Sequence, residues 1–145
     1  MTRRTKRILI VIGAIVGVLV AFRIVAAFIW PTINDVRTGA TPEYPDIVVQ
    51  RFQLPSDRVF AAALQVAEEM KLEVVNQSRE RGEIRAVATT QVFRFKDDVT
   101  ILVRQGPAGA LVDIRSHSRI GKGDLGANAR RIRDFQKRLA KRLQA

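Results

Sequence analysis

The sequence predicts an α+β fold: an antiparallel meander sheet with two amphipathic helices packed on one face, preceded by one transmembrane helix. Three observations predict it. An apolar run from Ile8 to Trp30 opens the chain. Two later stretches, one from Val59 to Met70 and one from Ile132 to Leu143, repeat apolar residues every three or four positions, the period of a helix with one buried stripe. Between them the apolar residues alternate with a period of two, interrupted by short polar turns. Short connections imply antiparallel neighbours, and two amphipathic helices are most economically buried on one face of such a sheet.

The first element follows from length and charge. Arg3, Arg4, Lys6 and Arg7 precede the apolar run, which only Arg23 breaks. As a helix, Ile8 to Trp30 reaches about 34 Å, enough for a hydrocarbon core of about 30 Å. The cationic cluster is expected to stay cytoplasmic, which places the C-terminal domain outside the cytoplasm. The expected location is therefore the cell membrane, single-pass, with a periplasmic domain if the cell is Gram-negative. Arg23 lies two turns before Trp30, close enough for its guanidinium to snorkel to the outer head groups. A cleaved signal peptide is the rival reading, with Ile8 to Phe22 as the apolar region and Val25 and Ala27 before the cut.

Residues 1–30 thus read as anchor, 31–45 as linker and 46–145 as domain. Pro31 to Pro45 holds three prolines among Thr, Asn, Asp and Gly, the composition of an extended spacer. Asp46 to Leu54 reads as a strand. Ser56 is the expected N-cap of the next helix, with Asp57 in its first turn. Val59, Phe60, Ala63, Leu64, Ala67 and Met70 form its apolar stripe. Leu72 to Gln77 is a strand, SRERG at Ser78 to Gly82 a hairpin turn, and Glu83 to Thr90 the next strand. Val92 to Phe95 continues that strand or begins another. Lys96–Asp97–Asp98 reads as a tight polar break, before alternation at Val99, Ile101 and Val103. Gly106–Pro107–Ala108–Gly109 is a turn. In the last strand, Leu111 to Ser116, Val112 and Ile114 share one face while Asp113 and Arg115 share the other. A helix from about Leu125 to Leu143 ends the chain, its apolar face made by Ile132, Phe135, Leu139 and Leu143.

The stretch Val112 to Leu139, VDIRSHSRIGKGDLGANARRIRDFQKRL, resembles the signature end of the family called domain of unknown function 1499. INDVRT at Ile33 to Thr38, YPDI after it, and FKDDVTI at Phe95 to Ile101 fit the same family. The likeness runs from about Ile33 to Leu143. Many relatives carry a cysteine-containing segment near the N-terminal end that this chain lacks. The family has no established activity, so the resemblance implies a fold and no mechanism. The order of elements is also similar to helix-grip domains, in which a curved sheet wraps a C-terminal helix.

Composition narrows the chemistry. The 145 residues contain no cysteine, which excludes disulfides, thiolate zinc sites, iron–sulfur clusters and an acylated Cys. One histidine, His117, excludes a His pair. Ser116 and Ser118 flank it, but in a strand their side chains take the opposite face, so no triad is expected. Asp97 and Asp98 read as solvated turn formers rather than paired acid–base carboxylates. Gly121–Lys122–Gly123–Asp124–Leu125–Gly126 matches G-x-G-x-x-G between a strand and a helix. A dinucleotide site needs a further parallel strand with an acid, and none follows. The glycines are expected to make the turn and Asp124 to cap the helix. A variant, an anion held on free N–H groups with help from Arg119, Lys122 and Arg131, is opposed by Asp124.

Arg115, Ser116, Ser118, Arg119, Asp124, Asn128 and Arg131 crowd one strand–helix junction. They read as a hydrogen-bonded corner, or as a polar ligand site at the open end of the sheet. Net charge is +11, from 25 Lys and Arg against 14 Asp and Glu, which favours anionic partners. Aromatics for base stacking are sparse and the expected compartment lacks DNA, so no nucleic acid is expected. Anionic lipid head groups or an envelope protein are the expected partners, and the basic last helix equally suits plain solvation. No catalytic residue, metal or cofactor is expected. The function expected is a membrane-anchored binding module, with a carrier of small apolar ligands between sheet and terminal helix as the alternative.

Overall fold

The computed structural model describes residues 3–91 and 93–144. The chain divides into two units at Thr32 and Ile33. The first contains α1 (Arg3–Ile29), 27 residues long and so about 40 Å from end to end. Every Ile, Leu, Val and Phe from Ile8 to Ile29 is more than half exposed. A helix apolar on all sides offers no polar face to water. α1 is long and apolar enough to cross a membrane.

The second unit runs in the order β1 (Asp35–Arg37), β2 (Gln50–Phe52), α2 (Ser56–Glu69), β3 (Glu73–Ser78), β4 (Glu83–Thr89), β5 (Lys96–Gly106), β6 (Gly109–Ser118) and α3 (Ala127–Gln144). β3 to β6 form a meander in which each strand pairs antiparallel with the next. β1 and β2 share the remaining edge of β6, β1 opposite Arg115–His117 and β2 opposite Ala110–Val112. One face carries Ile84, Ala86, Val99, Ile101, Val103, Val112 and Ile114, all buried. Val59, Phe60, Ala63, Val66 and Ala67 of α2 and Ile132, Phe135 and Leu139 of α3 close over it. The fold is α+β with both helices on one face, as the two periodicities require. Gly82 shows how tightly the β3–β4 turn is folded. Its φ is +62° and a Cβ there would stand 1.9 Å from the Val103 carbonyl oxygen, so the turn admits only glycine.

Five expectations are corrected. The linker ends at Thr32, not Pro45, because β1 is clamped to the edge of β6. Val36 and Thr38 are buried and Tyr44 and Ile47 join the core, while the Thr38 hydroxyl donates to Asp113 (2.7 Å) and accepts from the Ile114 N–H (3.0 Å). The strand expected from Asp46 to Leu54 shrinks to Gln50–Phe52, its first residues being drawn into turns around Tyr44 and Ile47. Ser56 is not the N-cap. Pro55 takes that position with no side-chain cap, and the Ser56 N–H donates to Gln105 Oε1 at 2.9 Å instead. Lys96–Asp97–Asp98 is no break; it begins β5. A buried partner makes Asp97 acceptable on the core face, and sequence spacing gives no sign of it. Val92 lies outside the described residues, and Phe93 to Phe95 form no strand.

Candidate functional site

The strand–helix junction brings some of the seven expected residues together and parts others. β alternation sends Ser116 and Ser118 to the helix-covered face and Arg115 to the open one. On the covered face the Ser116 hydroxyl donates to Asn128 Oδ1 (2.6 Å) and accepts from Arg131 Nη1 (2.8 Å). Arg131 Nη1 also reaches Asn128 Oδ1 (2.7 Å), and Nη2 reaches Asp97 Oδ2 (2.6 Å). Asn128 Nδ2 donates to Ser118 Oγ (2.9 Å) and to the Asn34 carbonyl (3.1 Å). Asn128 and Ser116 are fully buried and Asp97 is 2% exposed. The Asp124 carboxylate accepts from the N–H groups of Gly126 (2.8 Å) and Asn128 (2.7 Å), holding the start of α3. Buried polar groups that satisfy one another specify how α3 sits on the sheet. Asp97 and Asn34 complete this network and were missed by sequence reasoning. Asn34 stands in the INDVRT stretch of the family resemblance with nothing to mark its role, and the polarity of its neighbours masked Asp97.

Arg115 and Arg119 belong elsewhere. Arg115 pairs with Asp35 through two bonds of 2.9 and 2.5 Å. Arg119 forks onto Asp98, its shortest bond 2.6 Å. Both pairs stand on the open face of the sheet, which neither helix covers. Arg37 and Arg104 meet Asp113 there at 2.6 and 3.2 Å, and Arg85 meets Glu83 at 2.9 Å. Hydrogen bonds from Arg115 and Arg119 hold the Asp35 and Asp98 carboxyls below the usual carboxylate range. Burial pushes Asp113 upward, but hydrogen bonds from Arg37 and Thr38 outweigh it, and its carboxyl also lies low. A groove of about 500 Å³ runs over this face between Arg37, Arg85, Thr100, Leu102 and Arg115. Planar guanidinium groups fixed on strands present spare N–H donors in set directions. The signal for this face was the pairing of Asp113 with Arg115 in alternation; its partners on β1 and β5 were hidden in the expected linker and break.

A smaller cleft, about 380 Å³, lies at the end of the sheet between Phe93, Phe95, Ile120 and Leu125, above Asp97 and Ser118. Where a carrier's interior pocket was expected, Phe135 and Leu139 fill the space, 1% and 0% exposed. Among the described residues no group of three or more His, Asp or Glu side chains is placed to hold a metal ion.

A six-stranded antiparallel sheet with two helices on one face, following one apolar helix, defines an α+β domain of helix-grip-like order. Residues 27–139 match the family described as "protein of unknown function (DUF1499)", and the chain belongs to that family. No curated protein matches it. Among solved structures it is similar to protein CV1439 from Chromobacterium violaceum, at 14% identity and a TM-score of 0.50 over 77% of this chain and 98% of that one. TTHA0849 from Thermus thermophilus aligns at 15% identity and a TM-score of 0.40, over 76% and 97%. The first likeness concerns the fold alone.

Proposed function

We propose that this is a single-pass protein of the cell envelope whose domain stands outside the cytoplasm and acts as a binding module rather than an enzyme. The observation that carries the binding reading is the open sheet face, where Arg37, Arg85 and Arg115 line a groove that neither α2 nor α3 covers, with Arg104 and Arg119 paired to its Asp113 and Asp98. α1 and the four cations before its apolar stretch support the placement. Binding rather than catalysis fits the junction, whose hydroxyls and buried carboxylate are occupied by Asn128 and Arg131. It also fits the open face, where arginines keep the aspartates ionised.

The partner is an envelope protein or an anionic envelope component that exchanges charge-assisted bonds with these arginines. On α3, Arg133, Arg138 and Arg142 are likewise paired, with Asp46, Asp134 and Glu69, so that helix serves as the comparison surface. A photo-crosslinking residue at Thr100, in the groove, tests the reading in intact cells, with Lys141 on α3 as the comparison. A discrete adduct from Thr100 that disappears with Arg115→Glu supports it. Adducts from Lys141 alone, or an adduct at Thr100 indifferent to Arg115, overturn it.

A further inference from the structure

Beyond α1, six large apolar side chains are exposed among the described residues, and four of them meet at one end of the sheet. Phe93 is 72% exposed, Ile120 62%, Leu125 47% and Phe95 44%. The Phe93 and Phe95 rings stack with centroids 5.5 Å apart. Cations are interleaved with them: Arg94 stands between the two phenylalanines, and Lys122 between Ile120 and Leu125, both exposed. Hydrogen bonds tie residues on either side to their neighbours. The Arg94 N–H donates to the Thr90 carbonyl and the Phe95 N–H to Thr90 Oγ1, while Arg130 Nη1 donates to the Leu125 carbonyl at 2.8 Å. Arg94 and Leu125 hold left-handed backbones, at φ +58° and +52°, a conformation that surrounding structure must maintain. Apolar side chains gathered and held in water mark a contact surface.

The chain itself indicates what covers this surface. The Asp124 N–H donates to the Ile33 carbonyl, Asn34 Nδ2 to the Gly121 carbonyl, and the Ser118 N–H to the Asn34 carbonyl. The first residues of the domain therefore grip the very loop that carries Ile120 and Leu125. Ile29 closes α1, and a chain of four residues from there to Ile33 spans at most about 14 Å. Whatever course those residues take, a tether so short keeps the loop near the surface of any membrane that α1 crosses. We infer that Phe93, Phe95, Ile120 and Leu125 make a second membrane contact, their side chains in the interface of that same bilayer and Arg94 and Lys122 on its anionic head groups. Apolar tips with a cationic rim suit the boundary between head groups and acyl chains. The inference rests on α1 spanning the membrane.

The cysteine-free chain permits single probes. Full-length protein in vesicles containing phosphatidylglycerol is labelled with a polarity-sensitive fluorophore at Ile120→Cys, Phe93→Cys, Val75→Cys on β3, or Leu19→Cys in α1. The expected result is blue-shifted emission, lost to a lipid-borne quencher, at Ile120, Phe93 and Leu19, with water-like emission at Val75. Arg94→Glu with Lys122→Glu shifts Ile120 emission back to the red and leaves Leu19 unchanged. Water-like emission at Ile120 and Phe93 with Leu19 quenched overturns the second contact and leaves the anchor standing. An unquenched Leu19 overturns both. Blue-shifted but unquenched emission at Ile120 means a protein, a second copy or a trapped apolar ligand covers the surface, and that too overturns the lipid contact.

Discussion

Replacing Arg131 by Met removes the cation that bonds Asp97 while nearly preserving side-chain volume. Asp97 and Arg131 have side chains 3% and 14% exposed, and their 2.6 Å bond is the charged end of the junction network. Breaking a buried pair from one side leaves an uncompensated carboxylate, at a cost of about 3–5 kcal/mol. Domains of this size hold about 5–15 kcal/mol in total, so the loss is a large part of what is available. At about 4 °C per kcal/mol, the melting temperature falls by about 12–20 °C. Thermal unfolding of the full chain in detergent, followed by circular dichroism, measures it. Asp97→Leu with Arg131→Met removes both charges, and the double variant is expected to recover at least half of the loss. A fall below about 4 °C for Arg131→Met alone, or a double variant no better than the single, refutes the reasoning.

Other consequences are independent of that pair. Asn128→Ala strips partners from Ser116, Ser118 and the Asn34 carbonyl and is expected to cost about 1–3 kcal/mol by the same melting assay. Ser56→Ala changes stability by no more than about 0.5 kcal/mol because Ser56 caps nothing, whereas Asp124→Ala loses about 1 kcal/mol at the start of α3. Asp113 makes stability depend on pH. Its folded carboxyl ionises below the unfolded value of about 3.9, so its contribution is complete above that value and is lost as pH falls through the folded one. Acid titration of Asp113→Asn should therefore show less loss of stability below about pH 4 than the parent, although the variant is less stable at pH 7.

Much of this fold was legible because periodicity reports which face is buried. Val99, Ile101 and Val103, or Ile132, Phe135 and Leu139, declare their buried face by spacing alone, and Gly82 and Gly109 punctuate the hairpins. The illegible parts depend on partners remote in sequence. Asp97 looked solvated because its neutralising cation, Arg131, lies 34 residues away. The stretch from Ile33 to Pro45 looked like a spacer because its order comes from the edge of β6, through Thr38 and Asp113, rather than from any pattern of its own. Ser56 had the composition of a cap, but Pro55 had already set the helix start. The seven junction residues are dense in polar groups, yet alternation in β6 divides them between two faces. The open-face groove emerges only when Arg37 and Arg115 are placed side by side across β1 and β6.

Everything proposed about partners depends on the side of the membrane on which the domain stands. A pair of reporters fused in turn after Ala145 decides it: a phosphatase that is active only outside the cytoplasm and a fluorescent protein that folds only inside. The account predicts an active phosphatase and a dark fluorescent protein, both remaining with the membrane fraction at the full mass of the chain. A bright fluorescent fusion with a silent phosphatase contradicts it, as does an active phosphatase released in soluble form and shortened by the length of α1.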